Sequence, residues 1–263
     1  MILLIKFYNF LSNKIIKFIL DKKLFIFYEK KINHKNIDLK FKIVNYITYY
    51  RTKTFSSKEP ETLNWIDKFK EGSVFYDIGA NVGLYSIYAV KSRGCNVYCF
   101  EPSVFNLELL VKNTQLNSVS NKTNIIPIAL YNENSIQRFN LSNLDHAAAL
   151  SNFGNSFDQY GNKMKIKGFY NTVGMRLDNF IDIYKIKKPD HIKIDVDGIE
   201  HLILQGMGDD ILNEAKSILI ELTSSFKDQY QISQQILKSK NFILENNVSP
   251  SDNTSNQIWV KNI

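Results

Sequence analysis

Hydrophobic residues along the chain follow two different periods, and each change of period separates a predicted strand from a predicted helix. Short apolar runs typical of buried strands are SVFYDIG, NVYCFEP, NIIPIAL, HIKIDVDG and SILIEL. Segments with helical spacing stand between them, such as LYSIYAVKS, which Gly94 ends, and VFNLELLVKNTQLN. This alternation predicts a Rossmann-like α/β fold: a doubly wound, mostly parallel sheet with helices on both faces.

The two ends of the chain differ from this pattern. Two final runs, NFILEN and NQIWVKN, predict an edge hairpin, and the stretch between Leu130 and His191 is polar and loop-rich. Residues 24–28 and 38–50 look strand-like, and residues 51–61 (RTKTFSSKEPE) look like a polar linker. We therefore expect a small N-terminal α/β appendage of residues 1–60 and a main domain of residues 61–263.

The first twenty residues favour an amphipathic helix. Lys6, Asn9, Asn13 and Lys17 recur at helical spacing, opposite apolar residues such as Leu11. The lysines interrupt the run of about 18 apolar residues that a membrane span needs. Such a helix can lie on an anionic membrane surface, pack on the main domain, or pack on a second subunit of a homodimer.

Composition narrows the compartment and the partners. The 263 residues are 44% hydrophobic, enough for a substantial core, and carry a formal charge of +7. Lysine supplies most of this charge, which favours a compositional bias over a nucleic-acid partner, since nucleic-acid sites more often use arginine. Cys95 and Cys99, four residues apart in a predicted strand, are about 13 Å apart and too far to bridge. These features predict a cytoplasmic protein, with peripheral membrane contact as a further possibility.

The loop after the first main strand, DIGANVG, predicts a nucleoside-binding site. Gly79 and Gly83 let the backbone turn sharply and approach a ligand, and Asp77 ends the strand that precedes them. Glu101, at the tip of the next strand and followed by Pro102, can accept hydrogen bonds from both hydroxyls of a ribose. The alternative reading is that these are turn glycines with a capping aspartate.

Two cofactors fit this geometry. A dinucleotide such as NAD prefers G-x-G-x-x-G, and here Asn81 stands where the middle glycine admits the pyrophosphate. Asp77 would repel a pyrophosphate, whereas it suits the ammonium group of S-adenosylmethionine. We therefore expect S-adenosylmethionine to be the cofactor.

Several sequence blocks, in order, carry a family resemblance. DIGANVGLYS, CFEPS, FNLELLVKN, NIIPIAL, RLDNF, KIDVDGIEHLILQGM and LIEL resemble the FkbM-type methyltransferases over about residues 61–263. The resemblance implies an S-adenosylmethionine-dependent O-methyltransferase with a seven-stranded sheet whose last strand is inserted antiparallel. One departure is Asp197, where relatives more usually carry glutamate.

An acidic group follows the fourth main strand and supplies candidate catalytic residues. Asp195 is expected to contact the cofactor, and Asp197 and Glu200 are candidate bases for a hydroxyl proton. The spacing of Asp197 and Glu200 also fits a helix capping box, an alternative that stays open. Three carboxylates can hold Mg²⁺, but we expect no metal, because only Glu221 follows the next strand as a further oxygen ligand.

Residues of the loop-rich stretch complete the predicted site. His146 is a candidate base or substrate contact, although a lone histidine is more often a packing or surface residue. Ala129 and Leu130, together with Tyr131, are expected to flank the adenine. Ala147 to Ala149 leave room for an acceptor or form an ordinary turn.

The sequence favours a hydroxyl acceptor. Methylases of base amines carry an Asn/Asp-Pro-Pro-aromatic turn where this chain has Asp195-Val196-Asp197-Gly198. The family resemblance points to a sugar of a surface glycan or to a related natural product. The alternatives are an RNA methyltransferase, an NAD-dependent oxidoreductase and a non-catalytic cofactor-binding protein.

Overall fold

A computed structural model describes residues 11–19, 28–247 and 253–262. The helices are α1 (residues 11–19), α2 (Tyr46–Lys53), α3 (Phe55–Lys58), α4 (Pro60–Asp67), α5 (Leu84–Arg93), α6 (Val104–Leu116), α7 (Leu177–Tyr184), α8 (Glu200–Gln205), α9 (Asp209–Glu214) and α10 (Lys227–Ser239). The strands are β1 (Tyr28–His34), β2 (Ile37–Ile43), β3 (Val74–Ile78), β4 (Asn96–Phe100), β5 (Thr123–Ile126), β6 (Ala129–Leu130), β7 (Ser135–Leu141), β8 (Ser151–Phe153), β9 (Gly168–Met175), β10 (His191–Ile194), β11 (Ser217–Thr223), β12 (Phe242–Asn247) and β13 (Thr254–Lys261).

The main sheet confirms the predicted fold class. Its seven strands have the order β12-β13-β11-β10-β3-β4-β5, and the five strands from β11 to β5 are parallel. The last strand, β13, is antiparallel to both of its neighbours, β11 and β12. The strand order reverses between β3 and β10, and ligands of such sheets bind beyond the strand ends at this point.

The strands of the sheet centre are buried on both faces, as parallel strands covered by helices are. Tyr76 and Ile192 belong to the hydrophobic core on one face, and Phe75 and Leu219 belong to the core on the other. Cys95 and Cys99 are buried free thiols in the second core. The two cores fix the carboxyl ends of β3, β4 and β10 beside one another.

The structure corrects the interpretation of residues 38–61. The predicted strand over residues 38–50 ends at Ile43, because Asn45 and Thr48 form a capping box that begins α2. The predicted polar linker is helical from α2 through α3 to α4, with Pro60 in the first turn of α4. Residues 24–27 of the other predicted strand lie outside the described residues.

Residues 28–58 pack on the rest of the chain. Leu39, Phe41 and Phe55 are buried in the same hydrophobic core as Phe75 of β3. The amide of Asn117, at the end of α6, also bonds the backbone N–H and C=O of Lys40. The division into an appendage of residues 1–60 and a domain of residues 61–263 stays a prediction.

The stretch predicted to be loop-rich contains a second sheet with the order β6-β9-β7-β8. Its strands were missed because β7 and β9 alternate exposed and half-buried residues over much of their length, including exposed Phe169 and Val173. The predicted strand NIIPIAL is divided at Pro127, which has no backbone N–H with which to continue a strand ladder. Its second half is β6, which pairs with β9 and faces the sheet edge where ligands bind.

Among the described residues, no helix combines the length and the apolar character required to cross a membrane.

Candidate active site

The loop after β3 comes into close contact with the end of β10. Gly79 has a φ of 82°, and a Cβ at this position would lie 1.9 Å from the carbonyl oxygen of Asp195. Gly83 has a φ of 84° and is the N-cap of α5, where a Cβ would lie 2.5 Å from Leu110 Cδ1. Gly79 is therefore required for conformation and for space, because the atom in contact is backbone, whereas at Gly83 the left-handed conformation is the main reason for glycine.

Glu101 is buried where β4 ends and organises the loop after β3. Its carboxylate accepts hydrogen bonds from the backbone N–H of Asn81 at 2.7 Å and of Ser103 at 2.8 Å. Burial raises the pKa of Glu101 to about 7, against the lowering effect of these N–H donors. The carboxylate still has lone pairs that can accept hydrogen bonds from a ligand.

The ends of β3, β4, β6 and β10 surround a cavity of about 70 Å³, which we call the central cavity. Eight of the predicted site residues line it: Gly79, Asn81, Glu101, Pro102, Ala129, Leu130, Asp195 and Asp197. The structure thus places together residues that the sequence predicted to meet from four separate segments of the chain.

Asp77 lines neither this cavity nor the side cavity described below. Its side chain is 1% exposed and accepts a hydrogen bond from the hydroxyl of Ser86, and burial raises its pKa. The other carboxylate oxygen, Oδ1, has no hydrogen-bond partner among the described residues. The predicted contact between Asp77 and the cofactor ammonium stays a prediction.

A smaller side cavity adjoins the central cavity and shares Gly79, Asn81 and Asp195 with it. Arg51, Lys58, Glu59, Tyr85 and Lys193 also line it. Sequence reasoning missed the first three residues because it treated residues 51–61 as a linker. The signal was present, since this segment combines both charge signs with Phe55, which is buried.

Asp195 is paired with a buried lysine. Its carboxylate lies 2.5 Å from Lys193 Nζ, and the side chain of Lys193 is 1% exposed. Burial alone would raise the pKa of Asp195, but the pairing with Lys193 lowers it below its ordinary value. Asp195 therefore presents a stable negative charge to both cavities.

Asp197 and Glu200 have different surroundings. Asp197 lines the central cavity and accepts a 2.6 Å hydrogen bond from the N–H of Leu150, and burial raises its pKa to about 6. Glu200 lines neither cavity, and its carboxylate accepts hydrogen bonds from the N–H groups of Val196 and Gly198. Burial raises the pKa of Glu200 to about 7.

The predicted capping box of Asp197 and Glu200 is wrong in its geometry. Helix α8 begins at Glu200 and has Ile199 as its N-cap, without a side-chain capping bond. Instead, Glu200 reaches back to the strand-end loop, while Asp197, with a φ of 64°, turns its carboxylate to Leu150. The carboxylate of Asp197 is therefore not occupied by helix capping.

His146 lies apart from these acids. Its Nε2 atom is 3.1 Å from Glu108 Oε2 on α6, and it lines neither cavity. Tyr131 also lines neither cavity, and its ring packs against Phe153, which lines the central cavity.

Residues 147–151 cover the central cavity, and we call them the cover segment. Ala148 and Ala149 line the cavity, and the carbonyl oxygen of Ala148 accepts a 3.0 Å hydrogen bond from Asn81 Nδ2. Cavities that hold drug-sized ligands usually measure about 300–1,000 Å³. The central cavity is smaller than this range, and the cover segment forms part of its wall.

The described residues contain no group of three or more histidine, cysteine, aspartate or glutamate side chains placed to hold a metal ion.

Comparison with known families decides what binds at this site. The family model described as "Methyltransferase FkbM domain" matches residues 77–245, more than half of the chain. The chain belongs to the FkbM methyltransferase family. It is therefore an S-adenosylmethionine-dependent methyltransferase, as the sequence blocks predicted.

Individual relatives agree with this family. "Methyltransferase 1" of Beauveria bassiana (strain ARSEF 2860) is 24% identical over 185 residues, which are 66% of this chain and 74% of the relative. The crystal structure of an FkbM methyltransferase from Methylobacillus flagellatus KT aligns with a TM-score of 0.50 and 14% identity. That alignment covers 82% of this chain and 54% of the other chain.

A second similar structure is M. jannaschii TYW2 in complex with AdoMet. It aligns with a TM-score of 0.45 and 12% identity over 88% of this chain and 84% of the other chain.

The residues of this FkbM methyltransferase fit the cofactor. Gly79 lets the loop after β3 pack against the end of β10 at the cavity wall, and the Glu101 carboxylate lines the cavity, where it can accept hydrogen bonds from ribose hydroxyls. Asn81 Oδ1 is buried and has no hydrogen-bond partner among the described residues, so a ligand donor can use it.

Proposed function

We propose that this protein methylates a hydroxyl oxygen of a sugar in a surface glycan or a related natural product. The observation that carries the proposal is the pair of aspartates, Asp195 and Asp197, on the wall of the central cavity. They stand where methylases of base amines carry their proline-rich turn. A carboxylate at this place can remove a hydroxyl proton, which a methylated hydroxyl has to lose.

The nucleoside half of the cofactor is assigned to the central cavity. Glu101 accepts hydrogen bonds from the ribose hydroxyls. Pro102, Ala129 and Leu130 provide an apolar wall for the adenine. Asn81 accepts one further hydrogen bond through its Oδ1 atom. These assignments keep the cofactor contacts predicted for Asn81, Glu101, Pro102, Ala129 and Leu130, which all line the central cavity.

The methionyl tail is assigned to the side cavity. Arg51 and Lys58 offer positive charge to its carboxylate, and Glu59 and Asp195 offer negative charge to its ammonium group. Lys58 Nζ lies 2.8 Å from Glu59 Oε1, so the cavity contains charges of both signs before a zwitterion enters. Asp77 lies beside this arrangement and lowers the electrostatic cost of burying Lys193.

Asp197 is the proposed general base. When bound, S-adenosylmethionine supplies a methyl group attached to a positively charged sulfur. The sulfur is the leaving group and keeps the electron pair of the broken carbon–sulfur bond. Asp197 accepts the proton of the acceptor hydroxyl, and a pKa of about 6 keeps it mostly ionised at neutral pH. Glu200 holds the backbone of the Asp195–Gly198 loop, and His146 has no place at the reacting atoms in this proposal.

The N-terminal helix supports a peripheral membrane contact through residues 1–20, of which residues 11–19 are described. Leu11, Ile15 and Phe18 are exposed, at 42%, 55% and 59%. Two polar residues of α1 contact the rest of the protein: Asn13 accepts a hydrogen bond from Lys53, and Lys17 lies over the ring of Tyr46. An outward apolar face next to lysines suits an anionic membrane surface, and it also suits the homodimer that the sequence left open.

The proposed function is tested with labelled S-adenosylmethionine and a panel of acceptors. We expect transfer of the labelled methyl group to hydroxyl groups of sugars, nucleotide sugars or lipid-linked glycans. The product should be a methyl ether, which is stable to base. Transfer to RNA, with none to any hydroxyl acceptor of the panel, would contradict the proposal.

A further inference from the structure

An open cleft lies on the outer side of the cover segment. It measures about 590 Å³, within the usual range for ligand sites, and Ala147 to Leu150 form one of its walls. Ala148 and Ala149 line both this cleft and the central cavity. Only the cover segment therefore separates the cleft from the place assigned to the cofactor.

The cleft is strongly basic. Lys163, Lys165 and Lys167 line it together with Arg51, and these three lysines form no ion pair with any residue in the described part of the chain. Asp158 is the acidic lining residue, and its Oδ1 atom is engaged by the N–H groups of Tyr160 and Asn162. Asp158 keeps its own negative charge, so its presence beside the three lysines and Arg51 leaves the cleft with a net positive charge.

The lysines belong to a backbone that is held in place. Met164, between two of them, is 7% exposed, and its N–H bonds the carbonyl oxygen of Ser156 at 2.8 Å. The N–H of Lys167 bonds the carbonyl oxygen of Leu141, also at 2.8 Å. Lys163, Lys165 and Lys167 all line the same cleft, and these backbone hydrogen bonds hold the segment that carries them.

Arg51 connects the cleft to the reacting region. It lines both the cleft and the side cavity that contains Asp195, and its Nε donates a 3.0 Å hydrogen bond to the carbonyl oxygen of Ala147. A ligand held by the lysines can therefore extend past Arg51 towards the aspartates. A singly charged carboxylate would neutralise one of the three lysines, whereas a diphosphate matches all three of them.

We propose that the lysine row of this cleft binds the phosphate or diphosphate group of the acceptor, so that the methylated sugar is a phosphate-linked one. This inference rests on the proposed function and specifies its substrate class. A nucleotide sugar and a lipid-linked glycan both carry such a group, next to a sugar with free hydroxyls. The phosphate is held in the cleft, and the sugar hydroxyl reaches Asp197 once the cover segment moves.

The test is calorimetric titration of the full chain, saturated with S-adenosylhomocysteine, with inorganic pyrophosphate. A triple variant, Lys163→Gln with Lys165→Gln and Lys167→Gln, should bind pyrophosphate at least about tenfold more weakly. A control with the same loss of charge, Lys70→Gln with Lys91→Gln and Lys238→Gln, should remain within about twofold of the wild type, because distant exposed charges are screened. S-adenosylhomocysteine affinity should be the same in all three proteins.

Two further titrations identify the source of the phosphate. The affinities of UDP-N-acetylglucosamine and of a short polyprenyl-diphosphate N-acetylglucosamine are compared. The proposal is supported if the protein binds one of them more tightly than the other and if this binding is lost in the cleft variant but not in the control variant. Equal weakening of pyrophosphate binding in both triple variants would overturn it. So would RNA binding that depends on the three lysines in a protein that does not bind pyrophosphate.

A kinetic measurement distinguishes a failure of the phosphate site from a failure of the proposed function. Methyl transfer to a phosphate-free sugar, with the same KM in the cleft variant and the wild type, would leave hydroxyl methylation standing and overturn the phosphate site alone.

Discussion

The carboxylate of Glu101 accepts a 2.7 Å hydrogen bond from the backbone N–H of Asn81. This bond joins the loop after β4 to the loop after β3, the two loops that meet at the central cavity. Glu101 thus has two tasks: it holds the glycine-containing loop, and it presents oxygen atoms to the cofactor ribose in the proposed arrangement. The protonation state of one side chain should therefore control cofactor affinity.

Cofactor affinity is predicted to decrease as the pH falls through 7. Burial raises the pKa of Glu101 to about 7, and the ionised form is the better acceptor for ribose hydroxyls. Lower pH protonates Glu101 in the free protein, so binding has to expel that proton. We expect the Kd for S-adenosylhomocysteine to be about tenfold higher at pH 6 than at pH 8.

The control for this pH dependence is Glu101→Gln, which cannot ionise. Its Kd should be high and nearly constant between pH 6 and pH 8. A steep dependence that persists in this variant would assign the titration to another group.

The loop after β3 is predicted to tolerate no side chain at Gly79. Gly79→Ala combines a φ of 82° with a Cβ 1.9 Å from a backbone oxygen, and should lower the free energy of unfolding by about 3 kcal/mol or more. Gly72→Ala is the matched control, because Gly72 has a φ of 75° but no atom within 4 Å of the added Cβ. We expect it to cost only about 1 kcal/mol in denaturant titrations. Similar losses in both variants would mean that Gly79 is not in close contact with β10.

Asp197 is predicted to contribute to the rate and little to cofactor binding. Asp197→Asn keeps the shape of the side chain and the bond from Leu150, but it removes the proton acceptor. We expect kcat to fall about 100- to 10,000-fold while S-adenosylhomocysteine affinity changes little. His146→Gln, on the surface beside Glu108, should keep a nearly normal rate. A normal kcat in Asp197→Asn would leave Asp197 with a purely structural role.

The exposed face of α1 is predicted to bind anionic vesicles. Ile15→Ser with Phe18→Ser removes two exposed apolar side chains and should greatly reduce co-sedimentation with phosphatidylglycerol vesicles. The control is Ile183→Ser with Tyr184→Ser at the end of α7, where the exposed fractions are 61% and 59%. Unchanged vesicle binding in the α1 variant, or a shift from dimer to monomer without vesicle binding, would contradict the membrane contact.

Strand ends were the most predictable part of this protein. Apolar runs that end in Asp77, Glu101 and Asp195 are local signals, and parallel strands bring such ends to one edge of a sheet. Sequence reasoning therefore assembled eight of the twenty residues that line the central cavity. The structure places Asp77, Glu200 and His146 outside the lining of the central cavity, because the sequence does not show which way a side chain faces. Their predicted roles stay predictions.

The side cavity and the basic cleft could not be predicted in this way. Arg51, Lys58 and Glu59 lie about twenty residues or more before the glycine loop, in polar helices whose position depends on packing by Phe41 and Phe55. Lys163, Lys165 and Lys167 give no distinct signal in a lysine-rich sequence. Their position against the cover segment follows from the folding of the second sheet. The positions of the residues in both sites depend on packing between segments that are far apart in the sequence.

The most direct test of the account is calorimetric binding of S-adenosylhomocysteine at pH 8 to the wild type and to Glu101→Ala. We predict that the wild type binds with one site per chain and that the variant, while still folded by circular dichroism, binds about 100-fold more weakly or more, because two hydrogen bonds to a charged group are lost. Equal affinity of the two proteins would contradict the proposed seat of the cofactor at the ends of β3 and β4.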